Sequence, residues 1–212
     1  SPDVPMEDAA QRIAFGKALN AGQTCVAPDY VLCPADRVQA FVDEYRNQFA
    51  AMYPSLRDNE DYTAIINERQ YERLQGYLDD AREKGAELIE INPASENLKD
   101  GTRKMPITLV LKTTPDMKIM QDEIFGPILP IISYGNLDEA IHYINDRPRP
   151  LALYFFGYDK SMQEHVVNQT HSGGMCINDA LMHVAQDDLP FGGIGDSGMG
   201  HYHGKEGFLT FS

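Results

Sequence analysis

The feature that most constrains the fold is the alternation of two apolar periodicities along the chain. Short runs of β-branched and apolar residues, bounded by Gly, Pro, Asn and Asp, predict strands at 30–33, 87–91, 107–111, 128–134, 152–156 and 174–177. Apolar residues at helical spacing predict helices at 6–20, 35–49, 68–84, 136–144 and 159–168. This alternation predicts an α/β fold, a mostly parallel sheet with helices on both faces. Ligands of such folds bind at the carboxyl ends of the strands.

The length and composition are those of a globular chain with a full core. The chain has 212 residues, 42% of them hydrophobic, without an internal repeat or a low-complexity linker. We therefore expect residues 1–212 to form a single domain.

The charge and the cysteine content exclude several classes of protein. A net charge of -14 argues against nucleic-acid binding and against binding to anionic membranes, which both require a basic face. No apolar run approaches the ~18 residues of a membrane span, and the first residues lack the features of a signal peptide. The three cysteines, Cys25, Cys33 and Cys176, have spacings unlike those of a zinc site or a disulfide framework. We expect a reducing, cytoplasmic location, no metal and no membrane span.

One cysteine lies where a thiol can meet a substrate. Cys25 follows the helical segment and Gly22, and it precedes the first predicted strand. A loop that contains glycine allows the backbone and a substrate to approach closely, so an exposed thiol there is a candidate nucleophile. Free cysteine is more often a small buried hydrophobic residue, and the residue alone does not decide between the two interpretations.

The sequence around Cys25 resembles a known family. Residues 20–32, Asn-Ala-Gly-Gln-Thr-Cys-Val-Ala-Pro-Asp-Tyr-Val-Leu, are similar to the cysteine segment of the aldehyde dehydrogenase superfamily. Three further segments resemble that family in its own order and extend along the rest of the chain, at 121–128, 144–154 and 172–179 continued by 189–200. The chain is identified on these segments as a member of the family, corresponding to its catalytic domain.

This resemblance implies a role for each matched residue. The Cys25 thiolate attacks the aldehyde carbonyl, and Glu123 and Phe125 bind the cofactor, NAD or NADP. A carboxylate suits this task because its two oxygens accept hydrogen bonds from the paired hydroxyls of a ribose. Phe191 and Asn178 match positions in the closing strand and active-site loop and are expected to bind the substrate, whereas the segment at 144–154 is expected to be scaffolding.

Details of the sequence point to one branch of the family. The Ala-Pro-Asp-Tyr sequence at 27–30 and the paired prolines Pro148 and Pro150 resemble the class 3-like branch, and within it bacterial enzymes that act on coniferyl aldehyde. The resemblance thus implies oxidation of an aromatic aldehyde to the carboxylic acid, through a hemithioacetal and a thioester, in a homodimer or homotetramer.

The matched positions cover only part of the family's pattern. Relatives carry a nucleotide-binding portion, an oxyanion-stabilising Asn and a general-base Glu upstream of the cysteine, and a tail that helps to build the oligomer downstream. We therefore expect a catalytic domain that is truncated at both ends and that cannot complete turnover by itself.

Two other functions stay open from the residues. A cysteine-dependent hydrolase or acyltransferase requires a histidine beside the sulfur, and His171 is a candidate partner of Cys25. A non-catalytic structural or interaction module would retain the same motifs as elements of the fold and would not need the thiol.

Two further motifs are only weak indications of a binding site, one for a dinucleotide and one for a metal. Gly193, Gly195 and Gly198 match a dinucleotide fingerprint, but no good strand precedes them and no amphipathic helix follows. A metal site is also weakly indicated, because its candidate ligands have poor spacing on a loop: His201 and His203, with His183 and Asp187.

Overall fold

The computed structural model describes residues 1–99 and 101–212, and its helices and strands alternate largely as predicted. The helices are α1 (Met6–Ala18), α2 (Val38–Met52), α3 (Glu68–Glu83), α4 (Leu137–Asn145), α5 (Lys160–Gln169) and α6 (Gly204–Thr210). The strands are β1 (Val31–Pro34), β2 (Glu87–Ile91), β3 (Ile107–Leu111), β4 (Ile128–Tyr134), β5 (Ala152–Phe155) and β6 (Gly174–Ile177). Helix α6 was not predicted, because Gly204 and Gly207 lower its helix propensity.

The strands form two sheets. The first has the order β1-β4-β3-β2, and the second pairs β5 with β6. Strands β3 and β4 are parallel, with Leu109 opposite Leu129, and β5 and β6 are also parallel. The predicted α/β fold with a mostly parallel sheet is confirmed. Strand β2 is an antiparallel edge, because the described residues between β2 and β3 form no crossover helix.

The chain divides into two compact units. One unit comprises residues 6–133, and the other comprises residues 1–5 together with 134–212. The candidate nucleophile and the proposed cofactor residues belong to the first unit, and Asn178 and Phe191 belong to the second. The expectation of one domain over residues 1–212 stays a prediction.

Helix α3 forms the core of the first unit together with β3 and β4. Its N-terminus is capped by Asn67, whose side-chain oxygen accepts a hydrogen bond from the amide of Gln70 at 3.0 Å. Leu74 and Leu78 lie on its inner face and belong to a buried cluster with Ile128 of β4. Each fully buried aliphatic side chain contributes about 1.5–3 kcal/mol to folding, so this cluster anchors α3 against the sheet.

No helix in the described part of the chain has the length and the apolar character needed to cross a membrane.

Helix α2 contributes aromatic residues to the core of the first unit, residues 6–133. The rings of Phe49 and Tyr62 meet edge to face, with centroids 5.9 Å apart. The buried Tyr62 hydroxyl donates a hydrogen bond of 2.6 Å to the carbonyl oxygen of Met105. The hydroxyl of Tyr45 is equally buried but has no hydrogen-bond partner in the structure.

These two tyrosines provide a matched test of the core. We expect Tyr62→Phe to lower the free energy of unfolding by about 1–3 kcal/mol, because the Met105 carbonyl would lose its buried donor. Tyr45→Phe removes a hydroxyl that has no partner and should leave the stability unchanged or raise it. Urea unfolding of both variants measures the difference, and equal losses of stability would contradict the assignment of these hydroxyls.

Candidate active site

The loop that carries Cys25 has a tightly specified backbone. Three successive residues, Asn20, Ala21 and Gly22, have positive φ values of 53°, 51° and 72°, which turn the chain sharply after α1. The amide of Ala27 then donates a hydrogen bond of 3.0 Å to the carbonyl of Thr24. Cys25 lies at the corner of this turn, and its side chain is exposed. The thiol therefore stands exposed at the tip of a hydrogen-bonded turn.

Gln23 ties this loop to a second part of the unit. Its side-chain oxygen accepts a hydrogen bond from the amide of Ile66 at 2.9 Å, and its side-chain nitrogen donates to the carbonyl of Ala64 at 3.1 Å. One amide side chain thus satisfies two backbone groups of a distant segment. These contacts hold Gln23 in place, directly before the turn formed by residues 24–27.

Gly22 brings the cysteine loop into backbone contact with the segment that contains Glu123 and Phe125. A β-carbon built on Gly22 would overlap the carbonyl oxygen of Gly126. A β-carbon on Gly126 would in turn lie 2.5 Å from both methyl groups of Leu74 in α3. Glycine is required at position 22, where φ is positive and the obstacle is backbone, whereas the atoms opposite Gly126 belong to a side chain. Two segments separated by about one hundred residues are therefore locked together.

Asp29 and Arg73 hold the same segment by hydrogen bonds. The Asp29 carboxylate accepts from the amide of Ile124 at 3.1 Å, and the Arg73 guanidinium donates to the carbonyl of Ile124 at 2.6 Å and to that of Glu123 at 3.4 Å. Burial raises the pKa of Asp29, while the nearby Lys17, the amide of Ile124 and Arg73 act to lower it. Both backbone groups of Ile124 are satisfied by charged side chains.

The two residues expected to bind the cofactor lie side by side on this segment. Phe125 has φ of 50° and is 41% exposed, and Glu123 is exposed as well. Partial burial and the charge of Asp29 raise the pKa of Glu123, whereas Arg73 and Lys17 lower it. Their accessible side chains, one carboxylate and one aromatic ring, fit the hydroxyls and the ring of a ribose. Their binding roles stay predictions.

Sequence reasoning missed Lys17, Arg73 and Asp29 as charged residues of this site. Lys17 carried a signal, because it falls on the apolar face of α1 that also contains Ile13 and Ala14. A lysine on a core-facing stripe is unusual unless it is paired. Asp29 carried a weaker signal, as a lone carboxylate in the apolar run at 26–33. Arg73 carried none, since it occurs in polar sequence where a solvated side chain is the ordinary expectation.

In the second unit, Asn178 is engaged with the backbone. Its side-chain oxygen accepts from the amide of Gly157 at 2.8 Å, and its nitrogen donates to the carbonyl of the same residue at 3.1 Å. These contacts join the residues that follow β5 and β6. They favour a structural role for the side chain, and the expected contact with substrate stays a prediction.

Phe191 lies in an aromatic cluster of the same unit. Its backbone forms two hydrogen bonds with that of Tyr202, both of 2.9 Å, and its ring lies 5.6 Å from that of Tyr202 and 5.7 Å from that of His183. The side chain is buried. The expectation that Phe191 contacts the substrate stays a prediction.

The histidine that contacts a cysteine in the structure is not the one considered as a partner of Cys25. All six histidines lie between residues 142 and 203, so the unit that carries Cys25 contains none. His183 instead accompanies Cys176, with 3.2 Å between Nδ1 and Sγ. Burial raises the pKa of Cys176 and lowers that of His183, which favours the neutral forms of both. The pairing of Cys25 with His171 is not tested by this arrangement.

The histidines do not assemble a metal site in the described residues. Across 1–99 and 101–212, no group of three or more His, Cys, Asp and Glu side chains is arranged to hold a metal ion. The segment containing Gly193, Gly195 and Gly198 forms a loop with a short 3-10 turn at Gly195–Ser197.

Comparison with known proteins defines the family. The pattern of the aldehyde dehydrogenase family matches residues 1–212, and the chain belongs to this family. It is 63% identical over 212 residues to a probable coniferyl aldehyde dehydrogenase of Pseudomonas aeruginosa, covering 100% of this chain and 44% of that protein. It is 44% identical over 211 residues to mouse aldehyde dehydrogenase family 3 member A2, covering 99% of this chain and 42% of that protein.

A solved structure shows the same fold. The structure of Staphylococcus aureus AldH in its substrate-bound state superposes with a TM-score of 0.91 at 42% identity, covering 100% of this chain and 45% of that one. The predicted family, its class 3-like branch and the similarity to coniferyl aldehyde dehydrogenases are confirmed. The chain spans less than half the length of these relatives.

The exposures of the three thiols predict their order of reaction. Cys25 is exposed, whereas Cys33 and Cys176 are buried, and burial raises the pKa of Cys33 to about 11. We expect brief treatment with iodoacetamide to label Cys25 at least about tenfold faster than the other two. Peptide mapping by mass spectrometry measures the rates, and labelling in urea is the control in which all three should react alike. Equal rates in the folded protein would contradict the placement of Cys25.

Proposed function

We propose that this chain is the catalytic part of a nicotinamide-dependent aldehyde dehydrogenase that oxidises an aldehyde to the carboxylic acid. One observation carries the proposal: the exposed thiol of Cys25 lies on a loop locked through Gly22 and Gly126 to the segment that presents Glu123 and Phe125. A nucleophile and a ribose-binding pair are thereby held in one fixed framework. Family membership supports the same reaction.

In this mechanism the Cys25 sulfur, as the thiolate, adds to the carbonyl carbon of the aldehyde and forms a hemithioacetal. The resulting oxyanion needs donors, and backbone amides of the loop near Cys25 are candidates for this task. The nicotinamide cofactor supplies the acceptor for the hydride that leaves the hemithioacetal carbon. Water then attacks the thioester that remains on Cys25, releasing the carboxylic acid and restoring the thiol.

Glu123 has a positioning task in this proposal. Its carboxylate would accept hydrogen bonds from the ribose hydroxyls while Phe125 packs against the sugar, which holds the reactive end of the cofactor within reach of the thiol. Glu123 is not proposed as the base that activates water. Asn178 and Phe191 are proposed to line the site of the aldehyde, Asn178 through the backbone that it fixes.

The finer parts of the proposal concern substrate, cofactor and assembly. We propose an aromatic aldehyde resembling coniferyl aldehyde, because the Pseudomonas aeruginosa relative is named for that substrate. The cofactor is NAD or NADP.

We propose a homodimer or homotetramer, which the exposed apolar side chains of α6 support, with Phe208 and Leu209 largely accessible. A cytoplasmic location fits the three free thiols.

Two substitutions in the natural protein test this function. Cys25→Ser should lower kcat by at least about 1,000-fold, because the hydroxyl is a far weaker nucleophile. Glu123→Gln should raise the KM for the cofactor about tenfold, because a charged acceptor of the ribose hydroxyls is lost. Steady-state formation of NADH or NADPH with coniferyl aldehyde measures both effects.

The controls are Cys33→Ala and Glu87→Gln, which change a buried thiol and an exposed carboxylate outside the site. Both should keep the activity of the natural protein. Full function in Cys25→Ser would instead favour a structural or interaction module. Hydrolysis of an activated ester by wild-type protein without cofactor dependence, together with no dehydrogenase activity, would favour the cysteine hydrolase. The expectation that the chain alone cannot complete turnover stays a prediction.

A further inference from the structure

One face of helix α3 lies against residues 122–126, the segment that contains Glu123 and Phe125. Four side chains on this face are spaced at i, i+3, i+4 and i+7, which places them in one row along the helix: Gln70, Arg73, Leu74 and Tyr77. The Tyr77 hydroxyl donates a hydrogen bond of 3.0 Å to the Asp122 carboxylate at the start of the segment. The reaction proposed above uses the segment and assigns no task to this face of the helix.

The guanidinium of Arg73 is oriented by other side chains of its own helix. Its Nε donates a hydrogen bond of 2.7 Å to the side-chain oxygen of Gln70. The centre of the guanidinium lies 4.9 Å from the centroid of the Tyr77 ring, within the range of a cation–π contact. These two contacts hold the planar group in one orientation, with its terminal nitrogens directed at the segment.

The terminal nitrogens of Arg73 donate to the two carbonyls that precede Phe125. Nη2 lies 2.6 Å from the carbonyl oxygen of Ile124, and Nη1 lies 3.4 Å from that of Glu123. A hydrogen bond from a charged donor is stronger than one between neutral groups. The Ile124 carbonyl belongs to the peptide unit that ends at the nitrogen of Phe125. Arg73 therefore fixes the peptide plane from which the φ angle of Phe125 is measured.

Phe125 has a backbone conformation that needs such support. Its φ of 50° lies in the left-handed region, which is unfavourable for a bulky residue. Residues in this region keep their conformation only where the surrounding structure determines it, and they occur often at ligand sites. Arg73 holds the peptide before Phe125, and Gly126 packs closely against Leu74 directly after it. The strained residue is thus held on both sides by α3.

The left-handed turn separates the exposed from the buried side chains of the segment. Glu123 and Phe125 are exposed, whereas Ile124 and Gly126 are buried. Rotation of Phe125 to a negative φ would move its β-carbon, and the ring with it, relative to the Glu123 carboxylate. The relative placement of the two side chains therefore depends on this one dihedral angle.

We propose that Arg73 is a positioning residue that holds Phe125 in its left-handed conformation, so that the Phe125 ring and the Glu123 carboxylate face the same ribose of the nicotinamide cofactor. This inference rests on the proposed function, in which Glu123 and Phe125 bind the cofactor. Arg73 acts through its hydrogen bonds to the backbone and not by contact with the reacting atoms. Its loss should therefore weaken the binding of the cofactor and leave the recognition of the aldehyde unchanged.

Substitutions of Arg73 in the natural protein test this role. Arg73→Met removes the donors and keeps an unbranched stem, and it should raise the Kd for the cofactor about tenfold while the KM for the aldehyde stays within about twofold. Titration calorimetry with NAD and with NADP measures the Kd. Arg73→Lys lacks the planar fork and should give an intermediate Kd. Arg82→Met removes an exposed arginine from the same helix and, as the control, should bind the cofactor like the wild type.

A matched pair of substitutions at Phe125 tests the action through its backbone. Phe125→Asn and Phe125→Leu both remove the ring and leave side chains of similar size, but Asn adopts a left-handed φ far more readily than Leu. Arg73→Met should raise the cofactor Kd about tenfold in the Leu background and less than about threefold in the Asn background. Equal factors in the two backgrounds would overturn the inference, because a merely structural arginine would affect both alike.

The outcomes separate this inference from the proposal on which it rests. If Glu123→Gln and Phe125→Leu both leave the cofactor Kd unchanged, the binding roles in the proposed function fail. If they raise that Kd and Arg73→Met does not, the role of Arg73 alone is overturned.

A measurement on the unchanged protein keeps the inference testable if Arg73→Met does not fold. In a crystal structure of the wild-type protein with bound cofactor, we expect a terminal nitrogen of Arg73 within about 3.2 Å of the Ile124 carbonyl oxygen and a positive φ at Phe125. A negative φ at Phe125, or an Arg73 side chain turned away from this carbonyl, would overturn the inference.

Discussion

The backbones of Gly22 and Gly126 approach so closely that no β-carbon fits at Gly22, and the rest of the candidate site depends on this contact. It fixes the loop of Cys25 relative to the segment of Glu123 and Phe125, although about one hundred residues separate them in sequence. The hydrogen bond from Ile124 to Asp29 adds a second tie between the same two segments. A nucleophile and a cofactor-binding pair need such fixed geometry, because small displacements of reacting groups lower catalytic rates strongly.

Lys17, which is buried, and Asp29, which is partly buried, adjoin this framework at a cost in stability. Lys17 and Asp29 are desolvated, and their mutual attraction offsets only part of the free energy lost on burial. An apolar pair of similar volume would often stabilise a core as well or better. The arrangement is more readily explained by orientation of the Ile124 backbone, whose amide donates to Asp29, than by stability. Supporting contacts of this kind commonly determine how well the groups at a site are aligned.

The sequence predicted the fold and the principal motifs because each has a strong local signal. The helices and strands follow hydrophobic periodicity, and Cys25 and Glu123 lie in motifs with a specific resemblance. The contact of Gly22 with Gly126 has no such signal, since it depends on packing between distant segments. Helix α6 was missed because its glycines disfavour a helix locally. The exchange of hydrogen bonds between Asn178 and Gly157 also arises only when β5 and β6 pair.

Hydrogen exchange at the amide of Ile124 tests most directly the claim that the two loops form one locked unit. Gly22→Ala introduces a β-carbon at a residue with φ of 72° that faces the carbonyl of Gly126, whereas Gly76→Ala in α3 meets no atom within 4 Å and serves as the control. The account predicts that Gly22→Ala abolishes protection at Ile124 while α2 stays protected, and that Gly76→Ala changes neither. Wild-type protection of Ile124 in the Gly22→Ala variant would contradict the account.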